Sequence, residues 1–261
     1  MIILLHSSKS MKANPSKTEK YQAPQLLEQA KKINTYLKTL SSTQIEKSMK
    51  VSASLAEKTK ELIADWNIAP QKQTPAIDAF RGDIYSGLQA HTLTPAQRFY
   101  ANKTLYILSG LYGVLKALDG IYPYRLEMAY KFPQKPFSNM YNFWDNAIAS
   151  CLPKNEPIIN LAADEYSKTV TRFVPKDRII SPKFLTMNPK NGEPKFVVVH
   201  AKIARGAFAN WLITSGQNDP KKISTFNKIG YQYSKTLSTP DIPTFVCQEF
   251  QGTGLSVKLR P

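Results

Sequence analysis

The chain has 261 residues, 42% of them hydrophobic and 21% charged, the composition of a folded globular protein with a sizeable core rather than a disordered one. Lys and Arg number 35 against 19 Asp and Glu, a formal charge of +16. A field of that sign draws polyanions such as nucleic acid or an anionic membrane surface, although lysines scattered along a chain also serve simply as solubilising surface.

The opening "MIILLHSSKS" predicts a buried strand over Met1 to Leu5. Its apolar run is too short for a signal peptide or a membrane span, so a cytoplasmic protein is expected. A loop rich in Lys, Ser and Pro follows, up to Pro24. Leu26, Leu27, Ala30, Ile33, Tyr36 and Leu37 recur at helical spacing and predict a helix from Pro24 to Leu40. Ser42 reads as the cap of a second helix and Ser52 as the cap of a third, which turns Leu55, Leu62, Ile63 and Trp66 inward. "TPAIDAF" and "TPAQRFYANK" each open on Thr-Pro, a cap followed by proline in the first turn. Arg81-Gly82-Asp83 between them is a chance adhesion-like tripeptide. "GDIYSGL" has the glycine spacing of a phosphate loop but Leu88 where the lysine belongs, which excludes a nucleotide P-loop.

Leu105 to Leu108 is an apolar strand running into "SGLYGVLKAL". Further on, Tyr141 to Leu152 reads as helix, and "PIINLA" as a short strand entering a helix at Asp164. Ser181 to Lys195 reads as a turn-rich surface excursion, and Lys195 to Ala201 as a β-branched strand feeding the helix Lys202 to Ile213. "IGYQYS" and "TFVCQEF" alternate as strands. With no repeat and no low-complexity stretch, the whole chain 1–261 is expected to form one α+β domain, a mixed sheet surrounded by helices.

Cys151 and Cys247 stand far apart and read as reduced core residues. His6, His91 and His200 have no acid, cysteine or second histidine at a ligand spacing, and there is no GxSxG motif. No metal and no cofactor are expected.

Four places carry candidate chemistry. Gly110 and Gly113 are positioned like the glycines of a helix-hairpin-helix element, whose backbone N–H groups hold a DNA phosphate, although the spacing here is Gly-x-x-Gly. On the helix after "VVVH", Lys202, Arg205, Gly206 and Ala209 lie opposite an apolar face of Ile203, Ala207 and Trp211; two early cations around small residues fit an anion between them. Asp164 and Glu165 start a helix just after a strand, where acids complement the helix dipole or serve as a base near a strand end. Arg125 and Glu127 share one side of an extended segment, as an ion pair or as a phosphate-facing Arg oriented by a carboxylate.

Several of these stretches together, "FRGDIYSGLQA", "LYILSGLYGVLKALDGIYPYRLEM", "NLAADEYSKTV", "AKIARGAFANWLI" and "FNKIGYQY", resemble the bacterial YaaA family of peroxide-stress proteins, in order and spacing from Met1 to about Glu249. Where that family follows its first strand with Ser-Pro-Ala-Lys-Thr, this chain has His6-Ser7-Ser8-Lys9-Ser10, keeping the lysine and losing the proline. The resemblance implies a single-domain α+β protein with a basic cleft and a helix-hairpin-helix-like element. It also implies DNA binding and a role in limiting peroxide damage, linked to lowering unincorporated iron. On this reading Lys9, Lys202, Arg205 and Gly206 meet phosphates of duplex DNA with little sequence preference, beside Arg125 and the Gly110–Gly113 turn. The alternative is an enzyme acting on a nucleotide or nucleobase, with Asp83, Glu127, Asp164 and Glu165 as acid–base groups in the same cleft.

Overall fold

The computed structural model describes residues 1–13, 21–66 and 73–257; residues 14–20 of the Lys/Ser/Pro loop expected after the first strand lie outside them. Ile2–His6 is buried along its whole length, as a strand covered on both faces must be. It pairs in parallel with Leu105–Ser109 on one side and Ile158–Asn160 on the other. Ile179–Ile180 extends the sheet in parallel beyond Ile158–Asn160, and Gly113–Lys116 closes the opposite edge antiparallel to Leu105–Ser109. A second sheet runs in the order Pro194–Lys195, Lys183–Met187, Thr244–Cys247, Tyr231–Tyr233, with its two middle strands parallel and its outer pairs antiparallel. The chain is therefore an α+β fold with mixed sheets and helices around them.

Helices begin where local chemistry predicts, within a residue or a turn. Ser41, one residue before the expected cap, forms a reciprocal capping box with Gln44 ahead of Ser42–Met49, and Ser52 caps Ala53–Asp65. Thr94 forms a second capping box with Gln97 and opens Pro95–Thr104. The other Thr-Pro differs: Thr74–Pro75 pairs as a short strand with Gly120–Ile121 before the single turn Ala76–Ala79. The first helix spans Leu27–Lys38 and buries Ala30, Ile33, Tyr36 and Leu37.

Three segments depart from the sequence reading. Helix Tyr141 to Leu152 is instead two short helices, Met140–Trp144 and Ala147–Ser150, separated at Asp145, whose φ of 41° no helix tolerates. The excursion from Ser181 contains the strand Lys183–Met187, held in the core by Phe184 at 2% exposure against the Phe245 ring. The strand expected over Lys195 to Ala201 stops at Lys195, and Val198 already begins an 18-residue helix, Val198–Ser215. Val197 keeps an extended backbone as the residue before the helix, and Val198, 58% exposed, and Val199 join its first turn, so the β-preference of the valines decides only the residue before the helix.

The glycine pair in "LSGLYGVL" is a correction. No helix-hairpin-helix forms at these residues: Leu105–Ser109 and Gly113–Lys116 are the two strands of a β-hairpin, with Ser109 paired to Gly113. Gly113 has φ +69° and is the conformational glycine; a Cβ on it would also press on the Trp144 ring. Gly110 keeps ordinary φ and is there for close approach, because a Cβ would meet the carbonyl of Leu126 as "YPYRLEM" passes over the turn. Both glycines are buried, and Trp144 Nε1 donates to the Gly110 carbonyl at 3.1 Å, so the turn is enclosed by protein.

Gly206 is a second correction. It is buried, and a Cβ on it would overlap the carbonyl of Ile84; reciprocally, a Cβ on Gly87 would overlap the carbonyl of Ile203. Two helices, Val198–Ser215 and Asp83–Leu88, cross backbone against backbone at this pair. Gly206 serves that crossing and does not flank an anion. Gly206→Ala is therefore expected to destabilise the protein by about 3 kcal/mol, the upper range of overpacking, measured by urea denaturation. A melting curve indistinguishable from wild type would remove the crossing as a constraint.

Candidate functional site

Parallel strands present their carboxyl ends along one edge, where open α/β sheets place ligands. Here Ile2–His6 and Ile158–Asn160 end side by side, and beyond them lies a cleft of about 340 Å³. His6, Ser7, Lys9, Tyr85, Tyr166 and Lys202 line it, together with the carboxylates Asp83, Glu127 and Glu165.

His6 is held from three directions. The backbone N–H of Ala163 donates to its Nδ1 at 3.1 Å, its ring stacks on Tyr166 with centroids 4.9 Å apart, and the Tyr85 hydroxyl donates to its carbonyl at 3.0 Å. Burial, reinforced by the nearby charges of Arg205 and Lys202, pushes the His6 pKa down to about 3. The ring is therefore neutral at physiological pH. Ser7 Oγ donates to the Tyr166 hydroxyl at 3.4 Å, and burial raises the Tyr166 phenol well above its ordinary range, so that hydroxyl keeps its proton.

The acids are placed unequally. Burial raises the Glu127 carboxyl above its ordinary pKa; Lys9, 3.9 Å away, pulls it down, and Glu165 pushes it further up. Glu165 lines the same cleft and accepts the N–H of Ala129 at 3.0 Å. Asp83 is tied to the chain's far end, accepting the N–H and hydroxyl of Ser256, each at 3.1 Å. Asp164 is exposed on the first turn of Asp164–Thr171 and does not line the cleft.

The cations differ from their sequence reading in one respect. The long helix starts at Val198, so Lys202 and Arg205 are its fifth and eighth residues, beyond the first turn where a helix dipole acts. What distinguishes Arg205 is desolvation: it is half-buried, burial lowers its pKa, and among the described residues it forms no ion pair or hydrogen bond. Arg125 and Glu127 do share a side of an extended segment, alternating with buried Tyr124, Leu126 and Met128. They make no ion pair; Arg125 reaches the Lys9 carbonyl at 3.4 Å, and its Nε is buried without a partner among the described residues. Gly110, Gly113 and Gly206 do not line the cleft.

Sequence reasoning passed over His6, dismissed with the other histidines because no ligand spacing surrounds it. The signal lay in its position at the last residue of a buried strand, where a polar side chain faces the sheet's carboxyl edge.

A mixed α+β protein with a polar cleft at the ends of parallel strands is the class these features define. Residues 1–237 match the family model described as peroxide stress protein YaaA. A UPF0246 protein of Salinispora tropica is 55% identical over 258 residues, covering 99% of this chain and 98% of its own. UPF0246 proteins of Shewanella denitrificans and Shewanella pealeana are 37% and 35% identical, each covering 95% of this chain and 99% and 100% of their own lengths. The chain belongs to the YaaA family of peroxide stress proteins.

A carboxyl whose folded pKa lies above its unfolded value holds its proton longer in the native state, so its contribution to stability falls as pH rises through that window. Glu127→Gln is expected to raise the melting temperature at pH 8 and leave it unchanged at pH 4, where wild-type Glu127 is itself protonated. A variant that melts lower than wild type at pH 8 would show that the ionised carboxylate is a net structural asset.

Proposed function

We propose that this protein serves the peroxide-stress response by binding nucleic acid, with phosphates seated in the cleft at Lys9 and Lys202 and drawn by the charge of Arg205 near His6. One observation carries the reading: Arg205 gives up hydration without a carboxylate to replace it, a cost that a bound anion offsets. The overall charge of +16 supports it by drawing a polyanion toward the surface. Contacts of this kind act on the backbone, so duplex DNA is bound with little sequence preference. Shielding of DNA accounts for the stress role, with any lowering of unincorporated iron an indirect consequence, since the sequence offers no ligand spacing for iron storage.

A second reading, an enzyme acting on a nucleotide or nucleobase, is favoured by one specific arrangement. Glu127, with its raised pKa, faces Glu165 and Lys9 in the cleft, the kind of unequal pair that divides acid and base roles.

Gel-shift titration of a short duplex between about 50 and 200 mM salt tests binding; affinity is expected to fall by at least tenfold as counterion release is suppressed. The double variant Lys202→Ala/Arg205→Ala is expected to lose at least tenfold in affinity with a melting temperature equal to or above that of wild type. Salt-independent binding, or no binding at either salt, sinks the proposal; early melting of the double variant would make these cations structural. Glu127→Gln separates the two readings, since in both the loss of a repelling carboxylate keeps or raises affinity, whereas only an enzyme loses turnover of the bound nucleotide.

A further inference from the structure

His6 is 9% exposed, yet its ring is not fully satisfied. The Ala163 N–H occupies Nδ1 as an acceptor, so in the neutral ring the proton sits on Nε2. Among the described residues that N–H has no partner, and the ring lines the cleft. Protonating Nδ1 would turn the Ala163 contact into two opposed donors and add a charge beside Lys202 and Arg205, so the tautomer is fixed by its surroundings. A ring nitrogen that already holds its proton is a donor and not a general base.

We infer that His6 is a phosphate ligand of this cleft: its Nε2–H donates to a phosphoryl oxygen whose charge is matched by Lys202 and Arg205. The inference rests on the reading of the cleft as a phosphate site and adds the group that orients the phosphate within it. Lysine ammonium is a mobile point charge, whereas this imidazole is clamped by the Tyr166 stack and by its hydrogen bond to Ala163. The carboxylates Asp83, Glu127 and Glu165 line the same cleft and repel an anion, so a single fixed donor at the strand end marks where the phosphate can sit. The same chemistry receives a phosphate of a free nucleotide or of a nucleic-acid strand.

Two measurements on the full chain test this. In the free protein, long-range nitrogen–proton NMR of the histidine rings is expected to show one ring staying neutral, with its proton on Nε2, from pH 5 to pH 8. Titration with a thymidine dinucleotide, whose single phosphodiester keeps one charge across that range, and with a short duplex then reads affinity. His6→Phe keeps the ring stack and removes the donor; it is expected to weaken binding by about tenfold or more, the scale of a hydrogen bond to a charged group. His6→Gln, which restores an N–H at the Nε2 position, is expected to bind within about threefold of wild type on the same scale, and thermal melts confirm that both variants fold. Weakening with both probes places the site on a phosphate as such; weakening with the duplex alone places it on a strand held by further contacts. Either supports the inference. It is overturned if His6 titrates between pH 5 and pH 8, if its proton lies on Nδ1, if a folded His6→Phe binds both probes like wild type, or if His6→Gln is as weak as His6→Phe. Failure of wild type to bind either probe overturns the phosphate reading itself, and the inference with it.

Discussion

The backbone-to-backbone crossing at Gly87 and Gly206 is the contact on which the cleft depends. Helix Val198–Ser215 and helix Asp83–Leu88 approach until each glycine lies against a carbonyl of the other helix. That closeness fixes two functional groups at once. Tyr85 on the short helix reaches the His6 carbonyl, and Lys202 on the long helix is brought over the end of the first strand. Larger residues at either glycine would push the helices apart, and the cations would lose their position relative to the sheet edge.

A mixed electrostatic environment results. Lys9 and Lys202 line the cleft with Asp83, Glu127, Glu165 and the phenols of Tyr85 and Tyr166 around a neutral imidazole that also feels the charge of Arg205, yet among the described residues Lys9 to Glu127 is the one cation–carboxylate contact there close enough to count as an ion pair. Unpaired charges in a partly dehydrated site cost stability, and their retention is characteristic of sites built to meet a ligand. By contrast, the Arg98–Asp78 pair, away from the cleft, makes two guanidinium–carboxylate hydrogen bonds, and Arg98 donates also to the Ala90 carbonyl.

The alternating burial of Tyr124, Leu126 and Met128 against Arg125 and Glu127 shows how the scaffold and the cleft share one segment. Its buried face carries the Leu126 carbonyl that Gly110 accommodates, while its other face delivers Glu127 to the cleft. A glycine pair that reads as a ligand turn is thus a packing device beneath the segment that delivers Glu127 to the cleft.

Local chemistry alone determined the helix starts at Ser52 and Thr94, the strand Leu105–Ser109, the strand-to-helix step at Asp164, and the one-sided placement of Arg125 and Glu127. Each depends on a cap, a short apolar run or a two-residue alternation that acts within a few residues. The family too was legible, since its motifs lie in order along the chain. Tertiary structure decided the rest, because those features depend on residues distant in sequence. Nothing near Gly206 reveals that Ile84 is its neighbour, nothing near Gly110 reveals Leu126 overhead, and three valines give no warning that the sheet will end at Lys195 and a helix begin at Val198. His6 is the clearest case: a lone histidine in the sequence becomes a fixed hydrogen-bond donor only when Ala163, Tyr166 and Arg205, all more than 150 positions away, are folded against it.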